Sequence, residues 1–144
     1  FINKYIQSVS NLSKKKGIKI IFKSNHKGTI SADLQAIERI MDNLIDNAIK
    51  YSEKGSDITI STVNDSDNYI KVMIKDNGEG IAEEDINHIF SRFYRTASAR
   101  ATENQGSGLG LAIVKHLVNS LNGEVGIESQ PQKGSTFWFT VPCV

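Results

Sequence analysis

Four groups of residues in this chain have types and spacings that could do chemistry. Glycine is clustered: Gly78 and Gly80 follow a β-rich run, Gly106, Gly108 and Gly110 precede a helical pattern, and Gly134 lies between two further β-rich runs. Glycine lets a backbone approach a ligand closely, and a glycine-rich turn feeding a helix N-terminus presents free N–H groups to an anion, phosphate being the natural one. Each cluster taken alone is equally ordinary turn and cap chemistry. Asn43 and Asn47 are four apart, so on a helix both amides project from one face, with Lys50 and Tyr51 one turn further on. An amide oxygen is a hard ligand suited to Mg²⁺, which keeps several waters and bridges substrate phosphates, and Lys50 adds positive charge. A solvated polar face is the plainer reading of such a pair. Asp76 ends a β-rich run just before two glycines, where an acceptor-only carboxylate suits an exocyclic amine such as that of adenine, or simply makes an Asp turn. Arg92 and Arg95 flank Phe93-Tyr94, and one guanidinium could fold onto a terminal phosphate.

Other chemistries are excluded. No Gly-x-x-x-x-Gly-Lys-Ser/Thr occurs, so there is no P-loop, and Gly106-Ser107-Gly108 is followed by Leu111 where a Rossmann turn wants its third glycine. The signatures of Ser/Thr/Tyr protein kinases are missing too. His26, His88 and His116 are scattered without a ligand-like pair. A single cysteine, Cys143, excludes an internal disulfide framework and a multi-cysteine zinc site, and fits a reducing compartment such as the cytoplasm. Seventeen basic against sixteen acidic residues leave a net charge of +1, with no long-range field to advertise nucleic acid or anionic membrane. The longest apolar stretches, such as Leu111 to Val114, fall far short of the ~20 residues that span a bilayer.

The elements that must position these residues are legible from periodicity. At 144 residues one compact domain is expected. Ile2, Tyr5, Ile6, Val9 and Leu12 recur at helical spacing up to Gly17, and the lysine run 14–16 reads as a solvated helix end. Ile18 to Lys23 is a short strand, Thr29 to Ser31 a brief one, and Asp33 caps a helix whose stripe of Leu34, Ile37, Met41, Leu44, Ile45 and Ala48 runs to about Tyr51. Ser56 to Val63 and Tyr69 to Lys75 alternate as a hairpin. A helix is expected over 82–90, opened by Glu83, Glu84 and Asp85. Residues 96–107 are small, polar and glycine-flanked, a candidate lid. Leu109 to Leu121 is helical, and Val125 to Ser129 and Thr136 to Val141 are strands. This order implies an α+β fold, a two-layer α/β sandwich in which helices cover one face of a mixed sheet.

Taken in this order, the motifs resemble the catalytic and ATP-binding domain of sensor histidine kinases, a branch of the GHKL superfamily. Asn43 to Tyr51 is similar to the family's N box, Asp76 to Ile81 to its first glycine box, Phe90 to Arg95 to its F box, and Gly106 to Leu111 to its second glycine box. The resemblance spans about Ile18 to Val144, implying an ATP-binding domain over 17–144 and, over 1–16, a linker or the end of a dimerisation and phosphoacceptor hairpin. It implies that Asp76 holds the adenine amine, within a loop that includes Gly78, Gly80 and Ile81. Asn47 would coordinate Mg²⁺ with Asn43 beside it, and Lys50 and Tyr51 would contact phosphate or ribose. Arg95 would face the γ-phosphate, and Gly106, Gly108, Leu109, Gly110 and Leu111 would form the phosphate-binding turn. Asn43, Lys50 and Arg95 are the residues expected to carry catalysis. Phe90 and Phe93 would pack under the lid and toward the helices carrying the phosphoacceptor.

Two departures qualify the resemblance. The closing glycine box reads Gln132-Lys133-Gly134-Ser135-Thr136, with Gln132 in place of its first glycine; Thr136 is expected near the adenine pocket. None of the three histidines begins a His-Glu or His-Asp phosphoacceptor motif, so the acceptor is expected upstream of Phe1, and the chain is read as a fragment. ATP-hydrolysing members of the superfamily carry a Glu base where this chain has Asn43. An amide cannot take the proton of water at neutral pH, so phosphotransfer to a protein is favoured over hydrolysis. The implied partners are ATP, the parent's own dimerisation and histidine-phosphotransfer domain, and a response regulator. The implied setting is the cytoplasmic portion of a membrane-anchored bacterial sensor kinase, homodimeric as a whole and monomeric as this piece. Two alternatives stand: a GHKL serine protein kinase, and a catalytically inactive docking module.

Overall fold

In a computed structural model that describes residues 1–96 and 108–144, the apolar periodicities build one layer of helices on one sheet. The chain runs through helix α1 (Ile2–Lys15), strand β1 (Lys19–Asn25), helix α2 (Leu34–Tyr51) and the hairpin of β2 (Asp57–Ser66) and β3 (Tyr69–Lys75). A single turn, α3 (Glu83–Ile86), precedes helix α4 (Gly110–Ser120) and a second hairpin, β4 (Val125–Ser129) with β5 (Ser135–Pro142).

The sheet order is β1-β2-β3-β5-β4, with β1 parallel to β2 and every other neighbouring pair antiparallel. A parallel pair needs a crossover, and α2 supplies it. Strict alternation decides which face is covered. Ile58, Ile60, Ile70, Val72, Ile74, Phe139 and Val141 point inward and are buried, and the α2 stripe of Ile40, Met41, Leu44 and Ile45 packs on them together with Val114 and Val118 of α4. The outward set, including Lys71, Met73 and Trp138, stays partly exposed, with the Lys71 ammonium 4.7 Å from the Trp138 ring centroid.

Three expectations are corrected. The brief strand at 29–31 is reduced to a bridge between Ile30 and Cys143, flanked by reciprocal backbone bonds between Thr29 and Val144. The helix expected over 82–90 stops at Ile86. Beyond it the N–H groups of His88, Ser91 and Tyr94 donate three residues back, giving successive tight turns, and Phe93 adopts a φ of +62°, which no helix tolerates. Lys16 is no solvated helix end: it is half-buried and its ammonium donates to the carbonyls of Ile49 (2.7 Å) and Lys50 (2.8 Å) at the end of α2. Helix α1 lies against β1 and α2, with Tyr5, Val9 and Ser13 buried and the Tyr5 hydroxyl donating to Asp42 at 2.8 Å. Burial and the neighbouring carboxylate push the Tyr5 phenol well above its ordinary pKa.

Candidate nucleotide site

The face of α2 opposite its apolar stripe opens onto a large cavity. Asp33 starts this helix by accepting the Gln35 N–H at 2.9 Å. The 3.6-residue period then sends Leu44, Ile45 and Ala48 into the core while Asn43, Asp46, Asn47 and Lys50 line the cavity wall. The Asn43 amide donates to the Arg39 carbonyl at 2.8 Å, and Lys50 pairs with Asp46 at 2.9 Å one turn back. Gly110, at the start of α4, stands against this face so closely that a Cβ there would come within 2.9 Å of the Asn43 amide oxygen. A side chain there would have to displace the Asn43 amide.

Asp76 lines the same cavity. Its backbone N–H donates to the Ser135 carbonyl at 2.9 Å, continuing the β3–β5 ladder, and the residue is only 5% exposed. Oδ1 accepts the N–H groups of Gly78 (2.9 Å) and Ser135 (3.3 Å), while Oδ2 accepts none from the described residues. Burial raises the carboxyl pKa above its ordinary value, and the two backbone bonds pull it part of the way back. One lone-pair edge is therefore fixed and the other is available to a donor. The loop after Asp76 is clamped by the last hairpin. The Ile81 N–H donates to Ser129 Oγ at 2.8 Å and the Gln132 N–H donates to the Glu79 carbonyl at 2.6 Å. Gly80, at φ +73°, lies where a Cβ would fall 2.0 Å from the Gln130 carbonyl oxygen.

The cavity has a volume of about 800 Å³, the size of a pocket for a drug-sized or nucleotide ligand. It gathers Asn43, Asn47, Lys50, Tyr51, Asp76, Gly80, Ile81, Arg95, Gly108, Leu109, Gly110 and Leu111 from four separate stretches of sequence. Gly78 is not on its wall but holds Asp76 in place. Gly106 and most of the candidate lid, 97–107, lie outside the described residues. Thr136 stands between two wall residues without lining the cavity itself: alternation along β5 turns its neighbours Ser135 and Phe137 inward and sends Thr136 to a second depression with Lys75 and Glu128. The period-2 pattern already held that signal, since Phe137 and Phe139 mark the inward face. Glu79 and Tyr94 on the wall are not among the site residues expected from the sequence.

Residues 32–144 match the family described as histidine kinase-, DNA gyrase B-, and HSP90-like ATPase. The chain belongs to that family. Within it, this is an ATP-binding catalytic domain of the sensor histidine kinase type. The sensor histidine kinase WalK of Bacillus subtilis is 40% identical over 114 residues, covering 78% of this chain and 19% of that protein. The sensor protein SrrB of Staphylococcus aureus is 35% identical over 139 residues, covering 96% and 23%. The chain thus spans about a quarter or less of these relatives. Among solved structures, full-length ShkA in complex with AMPPNP superposes with a TM-score of 0.85 at 28% identity, over 99% of this chain and 29% of that one. The nucleotide-free catalytic domain of histidine kinase ThkA gives 0.83 at 26% identity, over 99% and 91%.

The charge on the cavity wall bears on which ions the site could hold. Among the described residues of the wall, five carboxylates (Asp46, Asp76, Glu79, Glu84, Asp85) stand against two cations, Lys50 and Arg95. A bare polyphosphate would meet net repulsion there. No cluster of three His, Cys, Asp or Glu residues among the described ones could cage a metal by itself. The donor set fits Mg²⁺ instead, which takes one or two protein oxygens, several waters and the phosphates themselves.

Proposed function

We propose that this domain binds Mg-ATP in the cavity and passes the γ-phosphoryl group to a histidine on another part of a longer sensor kinase, from which it moves to a response-regulator aspartate. The observation that carries the reading is one cavity lined both by a buried, fixed carboxylate at Asp76 and by the Asn43/Asn47/Lys50 face against the start of α4. Asp76 Oδ2 accepts the adenine amine. The first-turn N–H groups of α4, which no helix satisfies internally, meet the phosphates at Gly110 and Leu111. Arg95 and Lys50 offset charge at the γ-phosphoryl. Asn47, with Asn43 beside it, holds the Mg²⁺, which when bound neutralises phosphate charge.

In the transfer an imidazole nitrogen of the acceptor forms a bond to Pγ, the bond from Pγ to the β–γ bridging oxygen breaks, and ADP leaves with that electron pair. Such a step needs positioning and charge stabilisation more than covalent help from the protein. Asn43 supplies no base for water, so hydrolysis does not compete efficiently. The proton released by the imidazole goes to a base carried with the acceptor. Phe93, 72% exposed and next to the cavity mouth, is the apolar contact for the helices that bring it. No described helix is long and apolar enough to cross a membrane.

The test is incubation of the chain with γ-labelled ATP and Mg²⁺, alone and with a histidine-bearing helical hairpin from a related sensor kinase. The expected label is acid-labile and sits on the hairpin only. Acid-stable label would assign a hydroxyl acceptor, and label on the chain alone would contradict the division of labour.

A further inference from the structure

The end of α2 carries Lys50 and Tyr51 into the cavity, yet its carbonyls are not satisfied by its own helix. Four C-terminal carbonyls of any α-helix lack intrahelical partners. Here the Ser52 N–H returns to Ala48, while the carbonyls of Ile49 and Lys50 both receive the Lys16 ammonium, at 2.7 and 2.8 Å. Lys16 is remote in sequence, in the corner where α1 hands over to β1, and it is half-buried, unlike the exposed Lys14 and Lys15. A cation at a helix C-terminus also meets the negative end of the helix dipole. The corner itself is tied down: the Ile18 N–H donates to the Ser13 carbonyl at 2.9 Å, and Ile18 is 3% exposed.

We infer that Lys16 is a positioning residue for the phosphate end of the nucleotide site, capping the last turn of α2 from the α1–β1 corner so that Lys50 and Tyr51 meet the ligand at a fixed orientation. The inference rests on the proposed reading of the cavity as a nucleotide site. Lys16 does not line that cavity, so its effect passes through the backbone of residues 49 and 50. The same contact ties the orientation of α1 to the phosphate end: movement of α1 away from α2 withdraws the cap. Asp76 itself is held by the N–H groups of Gly78 and Ser135 and takes no bond from Lys16; it meets the capped turn only through the close approach of Gly78 to the Tyr51 carbonyl.

The test is binding of AMPPNP with Mg²⁺, and of adenosine by competition, to the whole chain and its Lys16→Met, Lys16→Arg and Lys15→Met variants, each with its melting temperature. The expected result is a five- to tenfold loss of AMPPNP affinity in Lys16→Met with adenosine affinity unchanged, and recovery to within twofold of the unsubstituted chain in Lys16→Arg. Lys15→Met removes the same charge one residue away, so an unchanged affinity there excludes through-space attraction. Equal loss for adenosine and AMPPNP, failure of Lys16→Arg to restore binding, or AMPPNP binding unaltered in Lys16→Met overturns the inference while leaving the nucleotide reading intact. If Lys16→Met does not fold, amide hydrogen exchange at residues 49–52 of Lys16→Arg decides: protection equal to the unsubstituted chain is expected, and lost protection with unaltered AMPPNP affinity overturns it. Absence of AMPPNP binding by the unsubstituted chain overturns the nucleotide reading and this inference with it.

Discussion

Two residues show what the site does to side chains and how that is measured. Asp76 is buried with a raised pKa, so the native state holds its proton more readily than the unfolded chain. Its contribution to stability is then full below the unfolded value of 3.8 and is lost as pH rises through the folded value. Asp76→Asn removes that dependence. The stability of the variant relative to the unsubstituted chain, read from urea midpoints, should rise as pH is raised from about 3.5 to about 7; a difference that shrinks with pH contradicts the assignment. Gln132 holds a φ of +68° where the family has glycine. The turn keeps the glycine conformation, and a non-glycine residue bears it at a cost of about 1–2 kcal/mol. Gln132→Gly should therefore stabilise the domain by about 0.5–1 kcal/mol once the added freedom of the unfolded chain is subtracted; an unchanged or lowered melting temperature contradicts this. Neither feature was visible as a position in sequence. Asp76 was recognised as a carboxylate beside glycines, but its second donor, Ser135, lies 59 residues away. Gln132 was seen as a departure from glycine, not as a residue that keeps glycine's backbone.

Among the elements, α2 was the most legible because its stripe, cap and polar face all follow one period. Its buried stripe predicts a large cost for truncation: Leu44 is fully buried between helix layer and sheet, so Leu44→Ala should lower unfolding free energy by about 2–5 kcal/mol. The cap should matter less: Asp33→Ala should cost about 1 kcal/mol and leave AMPPNP affinity unaltered, since Asp33 sits at the far end of α2 from Lys50 and Tyr51. Denaturant titration and calorimetry of both variants check this pair. Where local pattern and tertiary geometry diverged, the pattern misled. The apolar residues of 82–93 have helical spacing, yet the chain turns at Asn87 and reverses at Phe93, whose N–H donates to the Gly108 carbonyl. Thr136 carries the expectation of a place near the pocket, but one step along a strand exchanges faces, and the inward Phe137 and Phe139 set which face that is. Lys16 was taken for one of three solvated lysines because its partners are 33 and 34 residues away.

At the scale of the whole molecule, the fold brings the buried Asp76 carboxylate and the polar face of α2 to one cavity, from stretches far apart in sequence. Strand β3 delivers Asp76 because it pairs with β5 through the Lys75–Thr136 register, and α2 and α4 pack together so that Gly110 meets Asn43. The wall is richer in carboxylates than in cations, so nucleotide affinity should depend on the divalent ion. The most direct test of the central claim is a calorimetric titration of the chain with AMPPNP, with and without Mg²⁺, beside Asp76→Asn and Asn47→Ala. The account predicts binding that is strengthened by Mg²⁺ in the unsubstituted chain, abolished in Asp76→Asn and insensitive to Mg²⁺ in Asn47→Ala. Binding by Asp76→Asn equal to that of the unsubstituted chain, or no binding by the unsubstituted chain, would contradict it.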